Sequence, residues 1–274
     1  MPPVSLYAAY REIPRLSAEE LARWGTVGYV VPHWRLPSAL LAQMQDALVR
    51  LLDDHAFEQP EFVLQPQVPR PGSDAIELAR EFLDYLTHPD LVALVAVLTG
   101  PDVVLVGATV RCGWPAVAAA TPWYQSGAGW PVEPSQLLTV CLALDDLTPP
   151  DAGVWVRPGS HLQGDCAQEA APGDWPACAL REQNPAGTGC APAQALALEA
   201  GQVALLDGQL VHHLAGGTNA PRSAALLIHY FPAHVGFDRA EQRGTHTFAE
   251  HPLWLVSGVD RGGQHDFERG HTLW

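Results

Sequence analysis

Leu40, Leu41, Met44, Ala47, Leu48, Leu51 and Leu52 recur at the three-to-four spacing of a helix that buries one face, which predicts a helix over residues 38–52. Ahead of it, Ser17-Ala18-Glu19-Glu20 has the serine-to-glutamate spacing of a capping box and opens a short helix through Leu21 and Trp24. Gly28-Tyr29-Val30-Val31 then reads as a strand. Three prolines make a loop of residues 65–72. Two further helices are expected over 75–86 and 89–98, packed outside a barrel. Strands follow at 103–110, 137–144 and 154–156, with an Ala/Pro-rich loop at 115–122 and a turn at 148–153. Between residues 163 and 195 periodicity gives way to Gly, Pro, Ala and Cys. That stretch is either a lid over the barrel mouth or a surface loop. The tail from 252 shows no period.

The chain is organised around residues 201–231. Val203, Leu205 and Leu206 make a strand, Asp207-Gly208 a turn, and His212-His213 a second short strand. Neighbours on a strand face opposite sides, so one of the two histidines points inward. Arg222, Ala224, Leu226, Ile228 and Tyr230 alternate onto one face of a long final strand. If that face points inward, Arg222 stands at the mouth of an apolar barrel, where a guanidinium can fork onto a carboxylate. Otherwise it pairs with a structural acid such as Asp145, Asp146 or Asp207. His229 and His234 carry no assigned role.

Composition narrows the classes. The 274 residues suit one domain, and 47% hydrophobic content excludes a disordered chain. A net charge of −15 argues against a nucleic-acid partner. All fifteen basic residues are arginine, which excludes a Schiff-base or phosphate-loop lysine. Five cysteines without a C-x-x-C pair argue against a disulfide framework or a zinc finger. No leader-like or membrane-length apolar run is present, so a cytoplasmic chain with no membrane partner is expected. The oligomeric state is not legible.

Leu142 to His161, LALDDLTPPDAGVWVRPGSH, carries Leu-Asp-Asp, a glycine turn and Pro-Gly-Ser-His. With the N-terminal helix, Gly-Tyr-Val-Val, helix pattern and the 201–222 segment, it resembles the phytanoyl-CoA dioxygenase family. The resemblance implies a mainly β fold with flanking helices, a double-stranded β-helix of jelly-roll or cupin type. It implies a single domain over 1–274, with the first hundred residues packed on the barrel. It also implies Fe(II) and 2-oxoglutarate as cofactors. By position His212 matches the family's C-terminal iron-ligating histidine, and Arg222 its 2-oxoglutarate-binding arginine. Leu214 stands where the family often has a small hydroxyl residue.

The departure lies upstream. The family's Trp-His-Gln-Asp supplies a histidine and an aspartate to a facial triad. Here the segment is Trp123-Tyr124-Gln125-Ser126, and no histidine lies between His88 and His161. A phenol and a hydroxyl replace an imidazole and a carboxylate, which removes two ligands and the offsetting charge. No metal and no cofactor are therefore expected. Tyr124, Ser126 and His212 remain as candidate catalytic residues for a non-redox step such as isomerisation, cyclisation or elimination. The open alternatives are a ligand-binding pseudo-enzyme and an oxygenase with a non-standard metal site drawn from His212, His213 or Cys112. In each case a small organic molecule in the barrel is the expected partner. His161 is read as structural.

Overall fold

The structure, a computed structural model, describes residues 14–53, 61–69, 75–114, 120–150, 152–170, 178–180, 191–216, 222–243 and 246–271. Helices α1 (Ala18–Val27), α2 (Ser38–Asp53), α3 (Ala75–Leu86) and α4 (Pro89–Thr99) lie where the pattern places them. The first strands are β1 (Tyr29–Val30), β2 (Phe62–Leu64), β3 (Val103–Gly113), β4 (Val132–Glu133), β5 (Leu138–Ala143) and β6 (Val154–Val156). Next come β7 (Gln168–Ala170), β8 (Cys178–Leu180), β9 (Gln194–Leu196), β10 (Val203–Asp207) and β11 (His212–Leu214). The last are β12 (Ser223–Pro232), β13 (Gly236–Phe237), β14 (Gln242–Arg243), β15 (His246–Thr247) and β16 (Trp254–Ser257).

A large antiparallel sheet runs β1-β10-β5-β12-β3-β16, with β2 also on β3. A smaller sheet runs β11-β6-β9. The two face each other. Cys141, Ala143, Ala204, Leu206, Ala225 and Leu227 of the large sheet pack with Val154, Val156, Leu196 and Leu214 of the small one. The other face of the large sheet, including Ala224, Leu226 and Ile228, packs with the helices through Met44, Leu48, Phe82, Leu91 and Leu94. This is the double-stranded β-helix. Fully burying each leucine or isoleucine contributes about 1.5–3 kcal/mol, so both faces of β12 hold the barrel together.

Three expectations change. The strands on either side of the Asp207-Gly208 turn do not pair with each other, because β10 pairs with β5 in one sheet and β11 with β6 in the other. The tail does contain a strand, β16, on the edge of β3. β3 runs to Gly113, three residues beyond the expected end, and so carries Arg111 into the sheet. Of the irregular 163–195 excursion, a short β7–β8 hairpin is described, with the Leu180 N–H donating to the Trp123 carbonyl at 2.8 Å. Residues 171–177 and 181–190 lie outside the described residues, so most of the lid-or-loop question does too. Among the described residues no single helix is long and apolar enough to cross a membrane.

Pro-Gly-Ser-His is a structural joint. The Val211 N–H donates to Ser160 Oγ at 2.8 Å, and the Gly159 N–H to the Val27 carbonyl at 3.0 Å. The His161 ring lies against Gly28, which closes α1 with φ +79°. A Cβ on Gly28 would come within 2.4 Å of His161 Nδ1. We expect Gly28→Ala to cost at least about 2 kcal/mol in urea denaturation, since the left-handed backbone alone disfavours a side chain. A cost under half of that would mean that the ring moves aside freely.

Candidate active site

The segment 121–127 lies along the free edge of β11. Tyr124 and His212 exchange both backbone hydrogen bonds at 3.0 Å, as an antiparallel pair does, so their side chains share one face. The rings meet with centroids 4.3 Å apart, and both are buried inside the barrel. His213 goes to the opposite face, where it meets Trp123 at 4.3 Å and stacks on Trp155. His212, matched by position, is therefore the inward histidine.

His212 Nδ1 lies 2.8 Å from the Leu210 carbonyl. A carbonyl only accepts, so the proton belongs on Nδ1 and the lone pair on Nε2. Nε2 is buried with no hydrogen-bond partner. Burial lowers the His212 pKa to about 4, and its neighbour His213 adds to this. Burial likewise pushes the Tyr124 hydroxyl well above its ordinary value. At neutral pH the pair is therefore an uncharged imidazole beside an uncharged phenol.

Ser126 does not continue the strand; it begins a 3-10 turn over Ser126–Gly129. Its Oγ still enters the interior, 2.7 Å from Thr139 Oγ1, which lies 3.0 Å from His229 Nδ1. His229 follows Ala225 and Leu227 on the inward face of β12, and burial lowers its pKa to about 3. Its register partner on β3 is Gly107, and a Cβ there would strike the Gln65 amide at 2.5 Å. Gln67 Nε2 in turn donates to Gln65 Oε1. Two histidines, three hydroxyl residues and two amides thus make a polar layer inside an apolar barrel. Gln125 points away from it and ties loops together, donating to the Gly164 and Gln209 carbonyls and accepting from the Cys166 N–H.

Sequence reasoning missed His229 and Thr139. The available signal was parity, since His229 shares the odd-numbered face of β12 with Ala225 and Leu227. Arg222 needs a correction. It stands on the parity of Ala224 and Leu226, which is the helix-covered face, and it forks onto Asp145 through Nε at 2.8 Å and Nη2 at 3.0 Å. The bidentate partner holds the guanidinium outside the barrel and raises its pKa. The buried inward arginine is Arg111 on β3, opposite Ala225. Its Nη1 donates to the Cys112 carbonyl, Glu61 lies 3.9 Å away, and the Phe62 ring lies 4.9 Å from its centre.

Among the described residues no group of three or more His, Cys, Asp or Glu side chains is placed to hold a metal ion.

The buried neutral histidines give stability a pH slope. Their folded pKa values of about 4 and about 3 lie below the ordinary 6.5, so the unfolded chain binds more protons on acidification. Stability should fall as pH drops from about 6.5 toward 4, each histidine contributing up to about 1.4 kcal/mol per pH unit. Melting temperature against pH checks this. His229→Gln should flatten the fall, and an unchanged slope would show that His229 is not held neutral.

The Phytanoyl-CoA dioxygenase (PhyH) family model matches residues 24–224. No curated protein matches the sequence. The fold is similar to that of the non-heme alpha-ketoglutarate-dependent carbocyclase SnoK from nogalamycin biosynthesis. The identity is 20% over 81% of this chain and 87% of that one, with a TM-score of 0.63. It is also similar to the epimerase SnoN in complex with Fe3+, alpha-ketoglutarate and nogalamycin RO, with 23% identity, coverage of 84% and 91%, and a TM-score of 0.64. EctD from S. alaskensis with 2-oxoglutarate and 5-hydroxyectoine gives 17%, 90% and 86%, and 0.65. At these identities the likeness shows a shared fold. The family match takes in α2, α3 and α4, the small sheet and the Tyr124–His212 pair, and the chain belongs to the phytanoyl-CoA dioxygenase family.

Proposed function

We propose that this chain uses the family's barrel for metal-independent acid–base chemistry on a small organic molecule. The observation that carries the reading is His212 Nε2, a buried, unprotonated and unpartnered nitrogen beside a phenol. The donor set does not fit the family's iron. Neutral hydroxyls stand where a histidine and an aspartate would be, and no carboxylate offsets the charge of a divalent ion. No step here runs through a metal.

His212 Nε2 takes a proton from the substrate, and the Nδ1–H···O bond to Leu210 steadies the imidazolium that forms. Burial makes His212 a weak base, so the charge left on the substrate needs stabilising. The Tyr124 hydroxyl, kept protonated by its raised pKa, can donate to an oxygen that gains that charge. Returning the proton at a different atom is an isomerisation, and returning it with loss of a leaving group is an elimination. The carbocyclase and epimerase of nogalamycin biosynthesis support a substrate of specialised metabolism, held by the same architecture.

Solvent deuterium incorporation tests this, measured in EDTA on small molecules that co-purify with the chain. Wild type should catalyse exchange without iron, and His212→Ala and Tyr124→Phe should each lose on the order of a hundredfold. Exchange or turnover that requires Fe(II), 2-oxoglutarate and oxygen would overturn the reading. A binding-only barrel is the second reading, favoured by Tyr124 and His212 being 3% and 0% exposed. Tight binding with no exchange would select it.

A further inference from the structure

We propose that Ser126, Thr139 and His229 form one directed hydrogen-bond line that holds the Ser126 oxygen ready to accept, so that the barrel's substrate carries a hydroxyl or N–H beside the proton that His212 removes. The inference deepens the acid–base reading of the barrel and rests on it. Thr139 and His229 are then positioning residues, and Ser126 is the group that recognises the substrate.

The line joins three separate elements. Ser126 opens the 3-10 turn, Thr139 lies on β5 and His229 on β12. Thr139 and His229 are register partners on neighbouring strands, so their side chains share the inward face. Ser126 Oγ stands 2.7 Å from Thr139 Oγ1, and Thr139 Oγ1 stands 3.0 Å from His229 Nδ1. All three residues are buried.

Two links share three protons, one from each hydroxyl and one from the neutral ring. Either Ser126 donates to Thr139 and Thr139 to His229 Nδ1, or both links run the other way. In the reversed line the Ser126 O–H points away from Thr139. Among the described residues no other group takes a hydrogen bond from Ser126 Oγ, so that proton would be a buried donor without an acceptor. Folded chains rarely tolerate one, whereas a spare lone pair is tolerated better. In the forward line each hydroxyl uses its single proton within the line, and the ring proton falls on Nε2. That nitrogen makes no hydrogen bond with the described residues, and His229 keeps 7% of its surface exposed beside the Trp130 ring.

The forward line leaves the Ser126 lone pairs to the interior, where His212 Nε2 also presents a lone pair without a partner. A charge on His212 is felt at His229, so the line and the base border the same space. A substrate hydroxyl or N–H meets a waiting acceptor at Ser126. A substrate acceptor at the same spot sets lone pair against lone pair, which makes the line a determinant of specificity.

Histidine-nitrogen NMR of the isotopically labelled full chain reads the direction of the line. Wild-type His229 should carry its proton on Nε2, with Nδ1 unprotonated. Thr139→Ser should keep that state. Thr139→Val, which removes the hydroxyl at nearly the same shape, should shift the Nδ1 resonance. Recognition is read by solvent deuterium exchange in EDTA on the co-purifying small molecules, used as extracted and after acetylation, which caps hydroxyls and amines. Wild type should exchange the untreated molecules at least about tenfold faster than the capped ones. Ser126→Ala and Thr139→Val should narrow that preference to under about threefold, and Thr139→Ser should keep it. A His229 proton on Nδ1, equal exchange of capped and untreated molecules by wild type, or an unchanged preference in Ser126→Ala would overturn the proposal. No exchange at all by wild type removes the acid–base reading. The line then stands or falls with the tautomer and with equilibrium dialysis of the same two extracts. Exchange by wild type with the proton on Nδ1 does the reverse, keeping the acid–base reading and removing the line.

Discussion

The double variant Tyr124→His/Ser126→Asp is expected to bind one equivalent of Fe(II), on the order of a hundredfold more tightly than wild type. An imidazole at 124 would stand directly across from His212, since the two positions are a register pair with rings 4.3 Å apart. A carboxylate at 126 would enter the interior where Ser126 Oγ now meets Thr139. Together these supply two imidazoles and one carboxylate, with the charge that two hydroxyls lack. Either single change should gain much less, because a lone added ligand leaves the ion under-coordinated and the effects are coupled. Anaerobic Fe(II) titration of the wild type, both singles and the double decides. A folded double variant with no gain would mean that the 3-10 turn at Ser126 has carried the second ligand out of reach.

Removing Arg222 should weaken the fold. Arg222→Ala leaves Asp145 partly buried, with two charge-assisted bonds lost, and is expected to cost about 2–3 kcal/mol. Asp145→Ala should cost about the same. The double variant should cost clearly less than the sum, because the second change removes a charge that the first left stranded. Urea denaturation of the four proteins measures the cycle. Additive costs would mean that the fork contributes nothing as a pair. A stable Arg222→Ala that had lost 2-oxoglutarate binding would return Arg222 to the cofactor role implied by resemblance.

Much of this fold was legible because its local signals agree. The capping box at Ser17, the helical stripe from Leu40 to Leu52 and the strand at Leu138–Ala143 each formed as patterned. His212 could be chosen over His213 by its count from Gly201, and the strand pairing places it inward. Arg222 illustrates the limit. Every residue of β12 is buried, so its alternation carries no polar side to mark outside from inside. An arginine one step before the strand therefore gave the parity of a face but not its direction. His229 was missed for the same reason, since an imidazole in an all-apolar strand looks the same whether it faces helices or the barrel interior. Arg111 was hidden by a strand end set three residues early. The polar layer was out of reach, because Gln65, Thr139 and His229 meet only through pairing between distant strands.

We propose that the family's iron positions no longer serve iron in this chain. Elemental analysis of the wild-type chain after anaerobic Fe(II) loading and removal of free metal tests it most directly. Well under one equivalent of iron is expected, unchanged by His212→Ala. One full equivalent that disappears in His212→Ala would contradict it.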